Sequence, residues 1–394
     1  MNAARCLCAM VLLMLLAVAP PGHAATFEAV QFIAYGDLPY SMAGKPVLVS
    51  DGRSDQAVFD DDIRPAIRDH AAAFVIHVGD VGRPETSCSD DDLLRHKAIW
   101  QQFGKPVFYT IGDNDWIDCI RASIPGGAKS PLERLAHVRS LLFSDTALAS
   151  YQGTPPGWSI RHGLGGVLEN TAWTTTNPAI AFLTLHIIGS CNGRDTFGKE
   201  PCKLVPELGT DETTKALIEN AAERDRRNLV ALREAYAQAE SQHRAVLVIA
   251  IQADMFGKPD DDVKHPDDIW KRCKTQTEFK PYCDVLPILA SAFPGTTLLI
   301  HGDTSAYCLE QLPLEATPEP GWAAKPGHQF WRLNTPGDFG EIDASVVTIS
   351  PGESDLPSVK ATGLLSGEPA PAKCDQAQYA YKENGTAQAY PQHR

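Results

Sequence analysis

The stretch Tyr109-Thr-Ile-Gly112-Asp113-Asn114-Asp115-Trp116 decides how the rest of the chain is read. Two apolar residues, Val107 and Phe108, lead into a glycine turn that carries three polar side chains. One Gly-Asp pair after such a run is an ordinary turn, since Gly adopts conformations closed to other residues and Asp bonds to nearby backbone. Here the pair recurs. Phe32-Ile-Ala-Tyr35 leads into Gly36-Asp37, Val75-Ile-His-Val78 into Gly79-Asp80, and Leu298-Leu-Ile-His301 into Gly302-Asp303. Four apolar runs of strand length that all stop at Gly-Asp require a common cause.

Working outward, the segments between these runs carry helical spacing. Val58, Ile63 and Ile67 recur through 56–73, and Ser89 precedes a helix over 90–103 with acids in its first turn. Ser130-Pro131-Leu-Glu133 is a capping-box start with proline at the first helical position, which predicts a helix over 131–143. Thr210 precedes the longest helix, 211–240, and 283–293 is helical by the same reading. Apolar runs over 179–188, 245–251, 296–301 and 345–349 read as further strands, and 151–178 as a long loop or short strands. Strands alternating with helices predict α/β layers.

The 394 residues are 43% hydrophobic and 21% charged, the composition of a globular protein with a substantial core. Arg5, the apolar run from Met10 to Val18 and Gly22-His23-Ala24 form an export-signal pattern over 1–24, too short for a membrane span. The expected organisation is a signal peptide over 1–24, one catalytic-type domain over 25–350 and a loosely packed, Gly-, Pro- and Ala-rich tail over 351–394. The mature chain is expected to be soluble and secreted or periplasmic. Past the leader, an even set of cysteines in an oxidising compartment predicts disulfides. The short-range pairings Cys191–Cys202 and Cys273–Cys283 leave Cys88–Cys119 and Cys308–Cys374. A cysteine-based zinc site has no CxxC pair to support it. The net charge of −14 leaves no basic patch for nucleic acid, but a bound cation could still recruit a small phosphorylated partner. Oligomeric state is not encoded in any feature of the sequence.

In an α/β sheet, ligands bind outside the carboxyl ends of the strands. Asp37, Asp80, Asp113 and Asp303 would then emerge at one rim. Four adjacent carboxylates cannot all ionise unless a cation offsets them. A divalent metal site, with one ion or two bridged by a carboxylate, is the simplest cause. Oxygen-rich ligation favours Mn, Fe, Mg or Ca over Zn.

These blocks resemble the calcineurin-like metallophosphoesterases, a family that includes the purple acid phosphatases. Its blocks, G-D-x-x-Y, G-D, G-N-H-[DE], a strand-end His and G-H-x-H, correspond in order to Gly36-Asp37-Leu-Pro-Tyr40, Gly79-Asp80, Gly112-Asp113-Asn114-Asp115, Gln252 and Gly302-Asp303-Thr304-Ser305. The correspondence spans residues 30–305. The first two blocks match in identity, the later three in place. The resemblance implies a four-layer α/β/β/α sandwich and hydrolysis of a phosphate mono- or diester by metal-bound hydroxide. It implies Asp37 and Asp80 as metal ligands with Asp80 bridging, and places Asp113, Gln252 and Asp303 at ligand positions. Asn114 stands where the family has the His that steadies the leaving group, and Asn cannot shuttle a proton. Ser305 and Pro39 are a poor ligand and a non-ligand at positions where relatives carry His.

His301 lies two residues before Asp303, so strand parity puts both on one face. That makes His301 a candidate stand-in ligand or acid, against the alternative of a core histidine; His77 reads as core. Tyr40 is a candidate for ligand or substrate contact, and Asn192, after a strand end, for substrate contact or a loop cap. Asp115 reads as a support for the turn, Asp254 as a helix cap and Trp116 as packing or a pocket wall. Two functions remain: an exported metal-dependent phosphoesterase, or a non-catalytic relative that binds a cation or ligand. A serine hydrolase has no GxSxG motif behind it.

Overall fold

Alternation along Val30–Tyr35 (β1) sets the layering in the computed structural model, which describes residues 27–41, 45–120, 130–143, 154–194, 212–257, 269–314, 328–352 and 356–374. Phe32 and Ala34 face one side and Ile33 and Tyr35 the other, as period-two geometry requires. β1 lies parallel to Val75–His77 (β2), which lies parallel to Val107–Tyr109 (β3). The second sheet begins with Ser159–His162 (β4), Thr171–Thr174 (β5), Ile180–Thr184 (β6) and Val246–Ala250 (β7). It continues with Thr296–His301 (β8), Cys308–Leu312 (β9) and Gln329–Asn334 (β10). Its order is β4-β5-β6-β7-β8-β10-β9, with β6, β7, β8 and β10 mutually parallel. Ser345–Pro351 (β11) and Pro357–Gly363 (β12) complete the first sheet in the order β12-β11-β1-β2-β3.

The sheets pack face to face. Phe32, Phe74 and Phe108 from the first meet Trp173, Phe182, Val248 and Ile300 from the second. Phe108 stacks on Trp173 with centroids 3.6 Å apart, and Phe74 meets Phe182 edge-on at 5.0 Å. Each such ring removed from water contributes about 1.5–3 kcal/mol. On the outer side of the first sheet, Ile33, Val75 and Val107 pack under Phe59, Ile63, Leu93, Trp100, Leu135 and Val138 from helical segments. On the outer side of the second, Leu247 and Ile249 pack under Leu232, Tyr236, Leu286 and Trp270. The architecture is therefore α/β/β/α. Burial on both faces is why β7 reads Val-Leu-Val-Ile-Ala without polar interruption.

The helices follow their sequence signals. Ser130 and Glu133 close a capping box on Pro131–Leu142, Ser89 caps Asp90–Gln102, and the long helix is Glu212–Ser241. The first helical region runs as Asp55–Val58, a π turn over Phe59–Ile63, and Arg64–Asp69.

Three elements correct the sequence reading. β9 and β10 lie where the sequence reading placed no element, and β12 lies within the segment expected to be a loose tail. β12 pairs with β11 from Pro357 to Gly363, and Cys374 is bonded to Cys308 at the start of β9. The disulfides Cys88–Cys119 and Cys273–Cys283 are present as expected. The leader, Cys202 (the expected partner of Cys191) and residues 375–394 lie outside the described residues. Among the described residues no helix is long and apolar enough to cross a membrane.

Candidate metal centre

Each parallel strand of the central region ends at one rim. Asp37 follows β1, Asp80 follows β2, Asp113 follows β3 and Asp303 follows β8. The two sheets meet there: the Asp303 N–H donates to Asp37 Oδ2 at 3.2 Å, and Gln252, after β7, reaches Asp113 Oδ1 at 3.1 Å. Asp80, Asp113 and Asp303 each bring one ligand atom within 4.8 Å of the others.

Local sequence explains why Gly-Asp marks these ends. Asp37, Asp80 and Asp303 adopt left-handed backbone, with φ of 53°, 54° and 65°. Asp is one of the few residues other than Gly that visits this region, at a cost of roughly 1–2 kcal/mol. Three such residues converging on one rim point to a function that holds them there. The glycines make room. A Cβ on Gly112 would fall 1.9 Å from Asp80 Oδ1, and one on Gly302 would fall 2.0 Å from Asp37 Oδ2. Each of these glycines thus admits the carboxylate of another strand.

Neutral donors bind the cluster. The Tyr40 hydroxyl donates to Asp80 Oδ2 at 2.8 Å and lies 3.3 Å from Asp37 Oδ1. The Asn114 amide donates to the same Asp80 oxygen at 2.7 Å and to the Tyr40 oxygen at 3.1 Å. Asp115, wholly buried, accepts from the N–H groups of Asp80, Val81 and Gly112 at 2.8–3.1 Å and from the Tyr109 hydroxyl at 2.5 Å. It supports the turn, as the sequence suggested.

Burial raises the carboxyl pKa of Asp37, Asp80 and Asp303 well above the usual range. Neighbouring charge adds to this: Asp338 acts on Asp37, and Asp113 acts on Asp80 and Asp303. Burial, then Asp80, also raises the Tyr40 phenol, which therefore keeps its proton. A divalent cation would reverse the carboxylate shifts, and the donor set fits one: three carboxylates within reach of a single ion, in a cradle that two added Cβ atoms would fill.

Three expectations are corrected. Gln252 was placed as an oxygen ligand, but its Oε1 accepts from the Gly189 N–H at 2.6 Å. That fixes the amide orientation and turns Nε2 toward the carboxylates of Asp113 and Asp303, at 3.1 and 3.0 Å. His301, a candidate catalytic residue, does not join the acid cluster. Its Nδ1 lies 3.3 Å from the Gly302 carbonyl, its ring packs on Phe256, and burial lowers its pKa. Asn192, a candidate substrate contact, is buried; its amide donates to Asp225 Oδ1 at 2.6 Å and its Oδ1 accepts from Arg224 at 3.1 Å. Trp116 is core, under Arg224 and edge-on to His186. His77 is core as expected, among Tyr35, Trp100 and Tyr109. Asp254 caps its own turn by accepting from the N–H groups of Phe256 and Gly257.

One carboxylate of the rim escaped the sequence reading. Asp338 follows β10, with φ of 45° and its N–H on the Asp37 carbonyl. Burial, and then Asp113, push its pKa up to about 7, against the opposing charge of Arg83. Arg83 stacks 4.5 Å over Phe339, whose ring meets Tyr40 edge-on. The signal was present: Gly337-Asp338 is a fifth Gly-Asp pair after a strand.

No family model matches the chain, and no curated protein does. Among solved structures it is similar to a dimetal phosphatase from Danio rerio, at a TM-score of 0.48 and 13% identity over 85% of this chain and 95% of that one. It is also similar to PhoD, at 0.42 and 9% over 94% and 75%. A purple acid phosphatase from yellow lupin (Lupinus luteus) seeds is similar at 0.40 and 10% over 93% and 57%.

Proposed function

We propose that this protein is an exported metal-dependent phosphoesterase acting on a small phosphorylated substrate, as a mono- or diester. One observation carries the reading: Asp80, Asp113 and Asp303 place three ligand atoms within 4.8 Å of one another at the carboxyl rim of parallel strands. A divalent cation held there would supply positive charge to polarise water and to offset charge developing on phosphoryl oxygens. The protein's own residues orient that centre. Tyr40 and Asn114 both donate to Asp80 Oδ2 and fix its carboxylate plane. Asp115 ties the turn carrying Asp80 to the turn carrying Asp113. Asn114 has no proton to give, so a leaving group beside it departs without general-acid help. The arrangement therefore favours substrates whose leaving group is already a weak base. The disulfides support an oxidising, secreted or periplasmic setting.

A second reading, a non-catalytic cation- or ligand-binding relative, is favoured by one observation: among the described residues no histidine joins the acid group. Metal analysis of the purified protein, with hydrolysis of a chromogenic phosphodiester and monoester and Asp80→Ala as control, separates the two. Bound metal and Asp80-dependent turnover are expected. Metal without turnover selects the second reading, and neither metal nor turnover sinks the first.

A further inference from the structure

The structure assigns Gln252 the role of a brace rather than a ligand, so that the centre takes a single, oxygen-ligated divalent cation on Asp80, Asp113 and Asp303. This rests on the metal-dependent reading above, and concerns what this chain's own residues allow there.

Gln252 is fully buried and both ends of its amide are committed. The backbone N–H of Gly189 can only donate, so the atom 2.6 Å from it is the carbonyl oxygen. The NH2 group then lies between Asp113 Oδ1 and Asp303 Oδ1, at 3.1 and 3.0 Å, with one hydrogen for each. An NH2 group has no lone pair to give a cation. It does reduce the repulsion between two carboxylates that come from different sheets. Only glycine fits at 189, because a Cβ there would fall 2.3 Å from Asp303 Oδ2. Rotation of the amide to present its oxygen would leave the Gly189 N–H facing an NH2 group and put an acceptor against two acceptors.

The other side of the rim does not offer a second complete set. Asp37 Oδ2 accepts the Asp303 N–H and its Oδ1 is 3.3 Å from the Tyr40 hydroxyl. Among the described residues, only Asp80, Asp113 and Asp303 form a group of three His, Cys, Asp or Glu side chains close enough to share one ion. The centre holds carboxylate oxygens without imidazole, a set suited to Mg, Ca or Mn.

The test uses the full-length protein, stripped with chelator and reloaded with Mn2+ or Zn2+ separately. Equivalents per chain are measured by elemental analysis after gel filtration, affinities by titration calorimetry, and the melting temperature of the metal-free protein is recorded. One equivalent is expected in wild type. Gln252→Leu keeps the bulk and removes both donors: as a brace, its loss lowers the metal-free melting temperature while Mn2+ affinity changes less than about tenfold. Gln252→His adds an imidazole lone pair and is expected to raise Zn2+ affinity more than Mn2+ affinity. Two equivalents in wild type, or a loss of Mn2+ affinity in Gln252→Leu well beyond tenfold with an unchanged metal-free melt, overturns the assignment. If Gln252→Leu fails to fold, wild-type stoichiometry and Gln252→His still decide it. Two bound ions with turnover overturn this inference alone; one bound ion without turnover overturns only the enzymatic reading.

Discussion

Replacing Asp115 tests whether the rim is held from beneath as the geometry indicates. Its carboxylate is wholly buried and accepts four hydrogen bonds, three from rigid backbone N–H groups and one from the Tyr109 hydroxyl. In Asp115→Ala the hydroxyl can turn elsewhere, but the N–H groups of Asp80, Val81 and Gly112 cannot. Each unsatisfied buried donor costs about 1–3 kcal/mol, which puts the gross loss at roughly 3–9 kcal/mol. Two effects bring the net value down. Water can enter the vacated space, and burial, which raises the Asp115 pKa, no longer opposes a charge. A loss of about 3 kcal/mol is expected. Asp115→Asn behaves differently. Its single oxygen can take the position of Oδ2, which serves Asp80, Gly112 and Tyr109, leaving only the Val81 N–H against the new NH2 group. It should cost about 1–2 kcal/mol, one unpaired donor rather than three. Equilibrium denaturation in guanidinium at pH 7, with chelator present so that metal binding does not add to stability, gives both values. Equal losses for Asn and Ala, or an Ala variant within about 0.5 kcal/mol of wild type, would refute the account, since typical surface substitutions fall in that range.

Gly112→Ala and Gly302→Ala place a methyl group about where Asp80 Oδ1 and Asp37 Oδ2 now lie, and both should bind Mn2+ far more weakly in calorimetry; wild-type affinity in either would show that the glycines are not needed for the close approach. The Asp338 pKa, raised to about 7 in the fold from an ordinary carboxyl value, means that the native metal-free protein binds an extra proton between pH 4 and 7. That contribution to stability is present at low pH and lost as pH rises through 7, so Asp338→Asn should stabilise the metal-free protein at pH 8 and have little effect at pH 5. A pH-independent difference in melting temperature would contradict this. Buried Glu169 has the opposite sign. Burial pushes its pKa up, but His186 and Arg139 outweigh it, and its folded pKa lies below the ordinary value. With His186 lowered to about 4 and so neutral at pH 7, Arg139, at 2.7 Å, is the charged partner there. Glu169→Gln should cost about 1.5–3 kcal/mol at pH 7, the worth of charge-assisted hydrogen bonds from an Arg139 side chain that is itself 30% exposed. The wild-type advantage should shrink as pH falls below the unfolded carboxyl value, and a constant difference in urea midpoints down to pH 3 would count against the pairing.

Most of the layering was legible because both sheets are covered on two faces. Strands such as β7 and β8 are then largely apolar runs, and Gly-Asp follows β1, β2, β3 and β8. β10 broke that rule. Arg332 interrupts Gln-Phe-Trp-Arg-Leu-Asn, yet the structure buries it completely and pairs it with Glu310 at 2.8 Å. A charge satisfied by a strand partner 22 residues away looks, in sequence, like a loop residue. With the strand went the fifth Gly-Asp pair, and with it Asp338.

The candidacy of His301, settled in favour of the core histidine, has a different origin. Parity along a strand holds only while the backbone stays extended, and β8 ends at His301 itself. Asp303, at φ 65°, then carries its backbone N–H to Asp37 and its carboxylate to the group with Asp80 and Asp113, while His301 remains beside Phe256. Alternation could never have joined the two, because the left-handed turn that builds the site also ends the strand geometry. Gln252 and Asn114 were harder still, since an amide is a donor at one end and an acceptor at the other. Sequence gives the residue, and only the surrounding groups choose the end. Gly189 chooses for Gln252, and Asp80 takes N–H donation from Asn114. Both amides therefore present hydrogens to carboxylates at positions where the resembling family carries imidazoles. Neutral donors orient acids without cancelling their charge. The same residues that build the rim thus leave its charge to be balanced by protons or by a bound cation, which is why pH and divalent metal should act on this protein through one set of side chains.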